Sequence, residues 1–324
     1  MIAFIDESYM EKEEERSGFH QPVLLEETIR ALQPASGKIF FDGTVGGAGH
    51  TRALLEKGAS VIACDQDPDA ISEAAHRLSS YRERVRLLQM NFADALVELR
   101  RLGIEAVDGV LLDLGVSSHQ IDTAARGFSF QVDGPLDMRM NPDLKRTAAD
   151  WINHASEEQL TRVFFEYGEE PAARRLAAHL VRERARRPFR RTQELARAVE
   201  AVLPRRGPRH PATRVFQALR IAVNDELRVL EQALTGLSRH ILPGGRMAVI
   251  SFHSLEDRIV KHYFREVSRE WIDRPEWPER RRNPKYAFQL ITARPIEPGR
   301  EEVTRNPRAR SAKLRVIERN SYES

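Results

Sequence analysis

Apolar residues between Lys38 and Asp113 recur in two alternating rhythms. Short apolar runs read as strands at Ile39-Phe40-Phe41 and Val61-Ile62-Ala63-Cys64, Val85 to Met90 reads as a third strand, and Val107 to Leu114 as a fourth with Val110, Leu111 and Leu112 at its centre. Between them, apolar positions fall three or four apart, as on a helix. Ala53, Leu54 and Leu55 belong to one such segment, Ile71, Ala74, Ala75 and Leu78 to a second, and Asp94 to Leu102 to a third. Gly58 is placed to close the first helix, and Asp67-Pro68 to open the next with a capping carboxylate and a proline in the first turn. Strand, helix, strand in this order predicts a parallel sheet covered on both faces, which binds ligands beyond the carboxyl ends of its strands. Three acids stand at those ends: Asp42, Asp65 and Asp113.

The rhythm breaks after Asp113. From about Thr147 to Leu203 the pattern is helical throughout, with Pro188, Pro204, Pro208 and Pro211 as punctuation. A single long helix is then predicted from Phe216, Leu219, Val223, Leu227, Leu230, Leu234 and Leu237. Pro243-Gly244-Gly245 reads as a turn and Met247 to Phe252 as a fifth strand, with a final hairpin from Phe288 to Thr292 and Leu314 to Ile317. The expected layout is a flexible segment at 1–18, an α/β domain made of 19–146 and 212–324, and a helical insertion at 147–211 that recognises substrate.

The 324 residues are 41% hydrophobic, enough for a sizeable core, and the formal net charge is only +3. Charge is clustered instead. Thirteen arginines face three glutamates between Arg174 and Arg214, which suits either a polyanion surface or a solvated helix face. A single cysteine, Cys64, excludes an internal disulfide framework and a cysteine-based zinc site. The acidic N-terminus lacks the apolar stretch of a signal peptide, and no run approaches the roughly 18 apolar residues of a membrane span. A soluble, cytoplasmic protein is expected.

Asp42-Gly43-Thr44-Val45-Gly46-Gly47-Ala48-Gly49-His50 is the most informative stretch. Glycines directly after a strand let the backbone turn tightly and approach a ligand. Asp65, at the end of the next strand, is the acid expected to accept ribose hydroxyls. Two cofactors suit a loop and acid so arranged. A dinucleotide wants G-x-G-x-x-G, and Arg52 stands where the third glycine would be. S-adenosyl-L-methionine has a ribose and no pyrophosphate, and Asp42 is placed to hold its ammonium tail. The second cofactor fits better. An oxidoreductase and a non-catalytic RNA-binding assembly factor remain the alternatives; titrating both cofactors and assaying methyl transfer would separate them.

Several longer blocks carry a resemblance. They are Pro22-Val-Leu-Leu-Glu26, Asp65-Gln-Asp-Pro68, Asp113-Leu-Gly-Val-Ser-Ser118 with Gln120, and Arg126-Gly-Phe-Ser-Phe130. Gly134-Pro-Leu-Asp-Met-Arg-Met140, Phe216-Gln-Ala-Leu-Arg-Ile221, Ser251-Phe-His-Ser-Leu-Glu-Asp-Arg258 and Asn306-Pro-Arg-Ala-Arg-Ser311 follow. In this order, from about His20 to Arg319, the chain resembles the bacterial 16S rRNA (cytosine-N4)-methyltransferases. The resemblance implies a class I S-adenosylmethionine-dependent methyltransferase fold, Rossmann-like with a mostly parallel sheet, plus a helical insertion. It also implies methylation of the exocyclic N4 amine of a cytidine in the decoding region of 16S rRNA, within the small ribosomal subunit. The donor's sulfonium is already a good leaving group, so no metal is expected to be required.

Carried over by motif, the donor-binding positions are Ala48, Gly49, His50, Asp65, Phe92, Asp113 and Gln120. Asp113 is also the candidate for accepting the amine proton. Phe92 is expected to flank the adenine. His253 is a candidate contact for the base or a structural histidine. Arg126, Arg139 and Arg258 either bind phosphates or pair with Asp133, Asp137 and Asp257. Related amine methyltransferases use an Asp/Asn/Ser-Pro-Pro-aromatic motif where this chain has Asp113-Leu-Gly-Val. Cytosine carbon-5 chemistry needs a cysteine nucleophile, and Cys64 inside a strand is badly placed for it. Ala48 departs from the family's usual glycine. A negative φ there would cost nothing, whereas a positive φ would strain the alanine by about 1 kcal/mol.

Overall fold

The computed structural model describes residues 22–205 and 210–321. The segment expected to be flexible at 1–18 lies outside the described residues. The chain divides into two compact units, one formed by 21–115 with 227–324 and the other by 116–226.

The strands of the first unit are β1 (Ile39–Asp42), β2 (Ser60–Asp65), β3 (Val85–Gln89), β4 (Val107–Asp113), β5 (Ile241–Ser251), β6 (Trp271–Ile272), β7 (Arg281–Arg282), β8 (Phe288–Leu290) and β9 (Lys313–Arg319). Seven of them form one sheet of order β3-β2-β1-β4-β5-β9-β8, and β6 pairs with β7 alone. β1 to β5 pair in parallel, and β9 runs antiparallel to both β5 and β8. Successive residues alternate between two buried clusters, as a sheet covered on both faces requires. Phe41, Ile62, Cys64, Val110 and Leu112 join Leu230, Leu234 and Leu237 of the helix Glu226–Ser238 and Phe264 of the helix Ser254–Ser268. Phe40, Val61, Ala63 and Leu111 join Leu54 and Leu55 of the helix Gly49–Glu56 and Ala74 of the helix Pro68–Arg77.

The expected local devices are present. The Asp67 side chain accepts from the Asp69 amide at 3.0 Å, Pro68 opens the helix, and Gly58, at φ +89°, ends the helix before it. The chain steps from β1 to β2 to β3 and then returns to the other side of β1 with β4. Strand order therefore reverses between β1 and β4, the position at which open α/β sheets bind ligands.

The second unit has its own core. Ile152, Leu160, Phe164, Leu176, Ala177, Leu180, Leu195, Val199, Phe216 and Leu219 come from the helices Ala148–His154, Glu157–Glu166, Ala173–Arg186, Thr192–Glu200 and Ala212–Asn224. Its limits lie outside the expected 147–211. The irregular segment before Thr147 is stitched in by backbone pairing: the Leu136 amide donates to the Arg190 carbonyl and the Thr192 amide to Gly134, both at 2.9 Å. At the other end Asn224 donates to the Met138 carbonyl and accepts from the Met140 amide, each at 2.8 Å. Neither link leaves a periodic signal.

Two expected elements differ. The long helix through Phe216 and Leu237 is two helices, broken at Asp225 in the left-handed conformation at φ 53°. Apolar spacing continues across the break, so it does not reveal it. β5 begins at Ile241 and runs through Pro243-Gly244-Gly245, exposed at Pro243 and Gly244 and buried at Gly245, with a register shift opposite Val107 and Gly109 and Gly244 at φ 78°. The last two strands pair as expected, although the connection between them carries the helix Arg300–Arg305.

Candidate active site at the reversal of strand order

The glycine loop is a compact turn tied to the sheet. The Gly43 amide donates to Leu111, the Val45 amide to Cys64 and the Ala48 amide to Val45, at 2.9, 2.9 and 2.7 Å. Space at Gly43 excludes any side chain, because a Cβ would stand 2.5 Å from Leu112 Cδ2 and 2.9 Å from Phe92 Cβ. Phe92 itself opens the turn Phe92–Asp94 after β3, half-buried against the core. Gly46 takes φ 45°, and its amide donates to Asp65 Oδ2 at 3.0 Å. Ala48 takes φ 64° and ψ 12°, so the left-handed conformation that favours glycine is held by an alanine that is 1% exposed.

Asp42 does not offer its carboxylate to a ligand tail, contrary to expectation. It is 1% exposed; Oδ1 accepts from the Thr44 amide at 3.0 Å and Oδ2 from the Thr51 hydroxyl at 2.6 Å. It holds the two ends of the loop together, and its charge reaches the site only through space. Thr44 adds a second tie, accepting from the Asp113 amide at 2.6 Å. Arg77 braces the loop from outside, donating to the Gly47 carbonyl at 3.1 Å. Sequence reasoning singled out none of Thr44, Thr51 and Arg77 for these roles. Only Thr44, inside the stretch from Asp42 to His50, gave any hint.

Asp65 and Asp113 end strands β2 and β4, which flank β1 at the same sheet edge. Asp65 Oδ1 accepts from the Asp67 amide and Oδ2 from Gly46, both at 3.0 Å, leaving each oxygen a further lone pair. Burial pushes its pKa up to about 6, the two amides oppose that rise, and the neighbouring charges of Asp67 and Asp42 add to it. Asp113 is driven well above the usual carboxylate range, first by burial and then by Asp42 and Glu256. Its Oδ1 is buried with no hydrogen-bond partner among the described residues, and its Oδ2 lies 3.5 Å from His50 Nδ1. His50 Nε2 sits 3.1 Å from the Val23 carbonyl, which can only accept, so that nitrogen carries a proton.

Ala48, Gly49, His50, Asp65, Phe92 and Asp113 are thus gathered around one loop in one unit. Gln120 belongs to the other unit. It is 5% exposed and closes a capping box: its amide donates to Ser117 Oγ, and its Oε1 accepts from the Ser117 amide at 3.1 Å. His253 is also a capping residue, its Nδ1 accepting from the Glu256 amide at 3.3 Å, which gives it a structural role. Arg139 pairs with Asp137 at 2.8 Å, and Arg126 donates to the carbonyls of Arg139 and Met140. Asp133 pairs with Arg191, and Asp257 with Arg315. Cys64 is fully buried and its thiol is pushed up by burial and by Asp65 and Asp42, which removes it as a nucleophile.

The site is short of positive charge. Burial raises the pKa of both Asp65 and Asp113, the charge of Asp42 adds to the rise in each, and an orphaned oxygen adds to the deficit. A cation relieves this and a pyrophosphate aggravates it. S-adenosylmethionine carries a sulfonium and an ammonium, so these residues fit it and do not fit a dinucleotide.

A model of the MraW methylase family matches residues 17–320. The chain belongs to that family. A Ribosomal RNA small subunit methyltransferase H from Carboxydothermus hydrogenoformans is 46% identical over 306 residues, covering 94% of this chain and 98% of that protein. Another of the same name, from Syntrophotalea carbinolica, is 50% identical over 308 residues, covering 93% and 98%. The family and the fold class are those expected from the sequence. This family member is a methyltransferase, and its cofactor is S-adenosylmethionine.

Proposed function

We propose that the chain methylates the exocyclic N4 amine of a cytidine in the decoding region of 16S rRNA, on the small ribosomal subunit in the cytoplasm. The observation that carries the donor half of this reading is the cation-deficient trio of carboxylates around the glycine loop. The acceptor half rests on relatives named for small-subunit ribosomal RNA.

When bound, the donor supplies an electrophilic methyl group on a good leaving group. The chain's residues supply alignment and protection from water. Asp65 uses its remaining lone pairs to accept both ribose hydroxyls. Phe92 flanks the adenine, and the backbone of 48–50 lies along the tail. A cytosine amine is a weak nucleophile because its lone pair is shared with the ring, so an acceptor at its N–H raises its reactivity. Asp113 is that acceptor. It takes the amine proton, and His50 Nδ1, whose ring is held by the Val23 carbonyl, faces the carboxyl that receives it.

The unit at 116–226 recognises substrate. Many of its arginines serve internal roles: Arg184 donates to the Ile152 and Ala155 carbonyls at 2.6 and 2.7 Å, and Arg187 pairs with Glu194. Arg174, Arg182 and Arg190 are exposed and are the ones offered to phosphates. The decisive experiment supplies labelled donor to small subunits from cells lacking this protein and maps the labelled nucleotide. Label on a protein, or on a base other than cytidine, refutes the assignment.

A further inference from the structure

β6 and β7 form their own two-stranded sheet, with Trp271 opposite Arg282 and Ile272 opposite Arg281. An isolated ribbon of this size has no core of its own and is marginal in water. This one is anchored. Asn283 is 5% exposed, and its side-chain amide donates to the Glu266 and Arg269 carbonyls at 2.7 Å each. These are carbonyls at the end of the helix Ser254–Ser268, where intrahelical donors run out. The Asn283 amide donates to Glu270 at 2.8 Å, and Lys285 Nζ reaches Glu266 at 2.8 Å.

The anchored ribbon displays two of the chain's three tryptophans. Neither belongs to a core cluster. Both stack on arginines: Arg280 lies 4.8 Å from the Trp271 ring centre, and Arg274 and Arg281 lie 5.0 and 4.7 Å from that of Trp277. Trp271 is 40% exposed. Beside it runs an open groove of about 480 Å³ lined by His262, Arg265, Glu266, Arg269, Ile272 and Asn283.

Packing does not explain indoles held outside every core. Net charge does not explain the segment either, since six cations from Arg269 to Lys285 face four acids. An exposed indole face backed by a guanidinium, next to a groove with two arginines, is the arrangement that takes a flat base and its phosphate together. An acidic protein surface would use the arginines and have no need of the indole.

We propose that the Trp271–Arg282 ribbon and the groove beside it form a second RNA-binding surface, which stacks an unpaired base on Trp271 and holds its phosphate with Arg265 and Arg269. The proposal rests on the reading of RNA as substrate and names a surface outside the methyl-donor site.

The test uses the full chain and a short labelled single-stranded RNA, followed by anisotropy and by quenching of tryptophan fluorescence. Trp271→Ala is expected to weaken RNA binding about tenfold, and Trp271→Phe to retain most of it. Arg265→Gln with Arg269→Gln is expected to weaken binding and to lower the salt slope by about 1.4. S-adenosylmethionine affinity, measured by calorimetry, stays at the wild-type value in all variants and confirms folding. RNA affinity unchanged in Trp271→Ala overturns the proposal. So does a variant that binds naked RNA normally but loses affinity for assembled subunits, because the partner is then a protein. A wild-type chain that neither binds nor methylates RNA sinks the reading of its function; one that methylates RNA while Trp271→Ala binds it normally sinks the surface alone.

Discussion

Ala48→Gly should be nearly neutral for stability, although it removes a buried methyl group. Ala48 is 1% exposed within the core cluster that also holds Ala74, which is fully buried. Deleting a buried methyl costs about 0.8 kcal/mol, and the freedom that glycine adds to the unfolded chain costs a further ~0.4–1 kcal/mol. Against this, φ 64° imposes on the alanine a left-handed strain of roughly 1–2 kcal/mol that glycine does not feel. The terms cancel to within about 0.8 kcal/mol. Ala74→Gly, in the middle of the helix Pro68–Arg77, has no strain to relieve. It loses the same methyl and about 1 kcal/mol of helix propensity, roughly 1.8 kcal/mol together. Urea unfolding of both variants, followed by far-ultraviolet circular dichroism, measures the contrast. Equal losses in the two would show that Ala48 is unstrained and that the loop accepts alanine at no cost.

The other predictions concern the carboxylates and the loop. Asp65 titrates at about 6 in the folded chain against 3.8 unfolded, so the folded state binds more protons between those values. Stability without donor therefore falls as pH rises through that window, by up to about 3 kcal/mol. Donor affinity, which needs the carboxylate, rises over the same window; calorimetric titration from pH 5 to 7 would contradict this by showing a flat profile. Asp65→Ala should weaken donor binding at least tenfold, and unchanged affinity would show the ribose contact to be misassigned. Asp113→Asn removes a carboxyl that burial and the charge of Asp42 force to take up a proton on folding. Its melting temperature at neutral pH should rise while methyl transfer slows, and normal turnover would remove Asp113 from proton transfer. Gly43→Ala, forced against Leu112 and Phe92, should cost about 1–3 kcal/mol in the same urea assay, and a neutral result would contradict the close packing there.

The parts that could be read from sequence were those with a strong local period or a local cap. β1, β2 and β4 came from short apolar runs, because strands buried on both faces carry little else, and β3 from Val85, Leu87 and Leu88 at the sheet edge. Asp67-Pro68 and Gly58 marked helix ends by their own backbone chemistry. The break at Asp225 stayed hidden because left-handed aspartate changes direction without disturbing the apolar spacing on either side. The second unit's true limits depend on Asn224, Gly134 and Leu136 pairing across long sequence distances, which no window reports. At the site, glycines and strand-end acids pointed to one loop, and the structure brings Asp65 and Asp113 to it. The role of Asp42 was misread because its position shows only that an acid is present. Its partners, Thr44 and Thr51, decide that it faces inward.

Three unfavourable features of the structure meet at one place. A left-handed alanine, a carboxyl raised to about 6 and another with an orphaned oxygen all surround the same turn. Each lowers the stability of the chain without its ligand, and selection for stability alone would remove them through Ala48→Gly, Asp65→Asn or Asp113→Asn. A bound cation changes the sign of two of them. It lowers the carboxyl pKa values, offsets the charge of Asp42 that raises them, and releases the protons those groups held. Binding of the donor should therefore expel protons near pH 6, and the heat of binding should vary with the ionisation enthalpy of the buffer. The same displacement leaves Asp113 ionised only when the methyl donor is in place, which couples the proton acceptor to the presence of the group whose transfer requires it. A heat of binding independent of buffer would show that the carboxylates are already ionised, and that the turn gains nothing electrostatically from a cationic ligand.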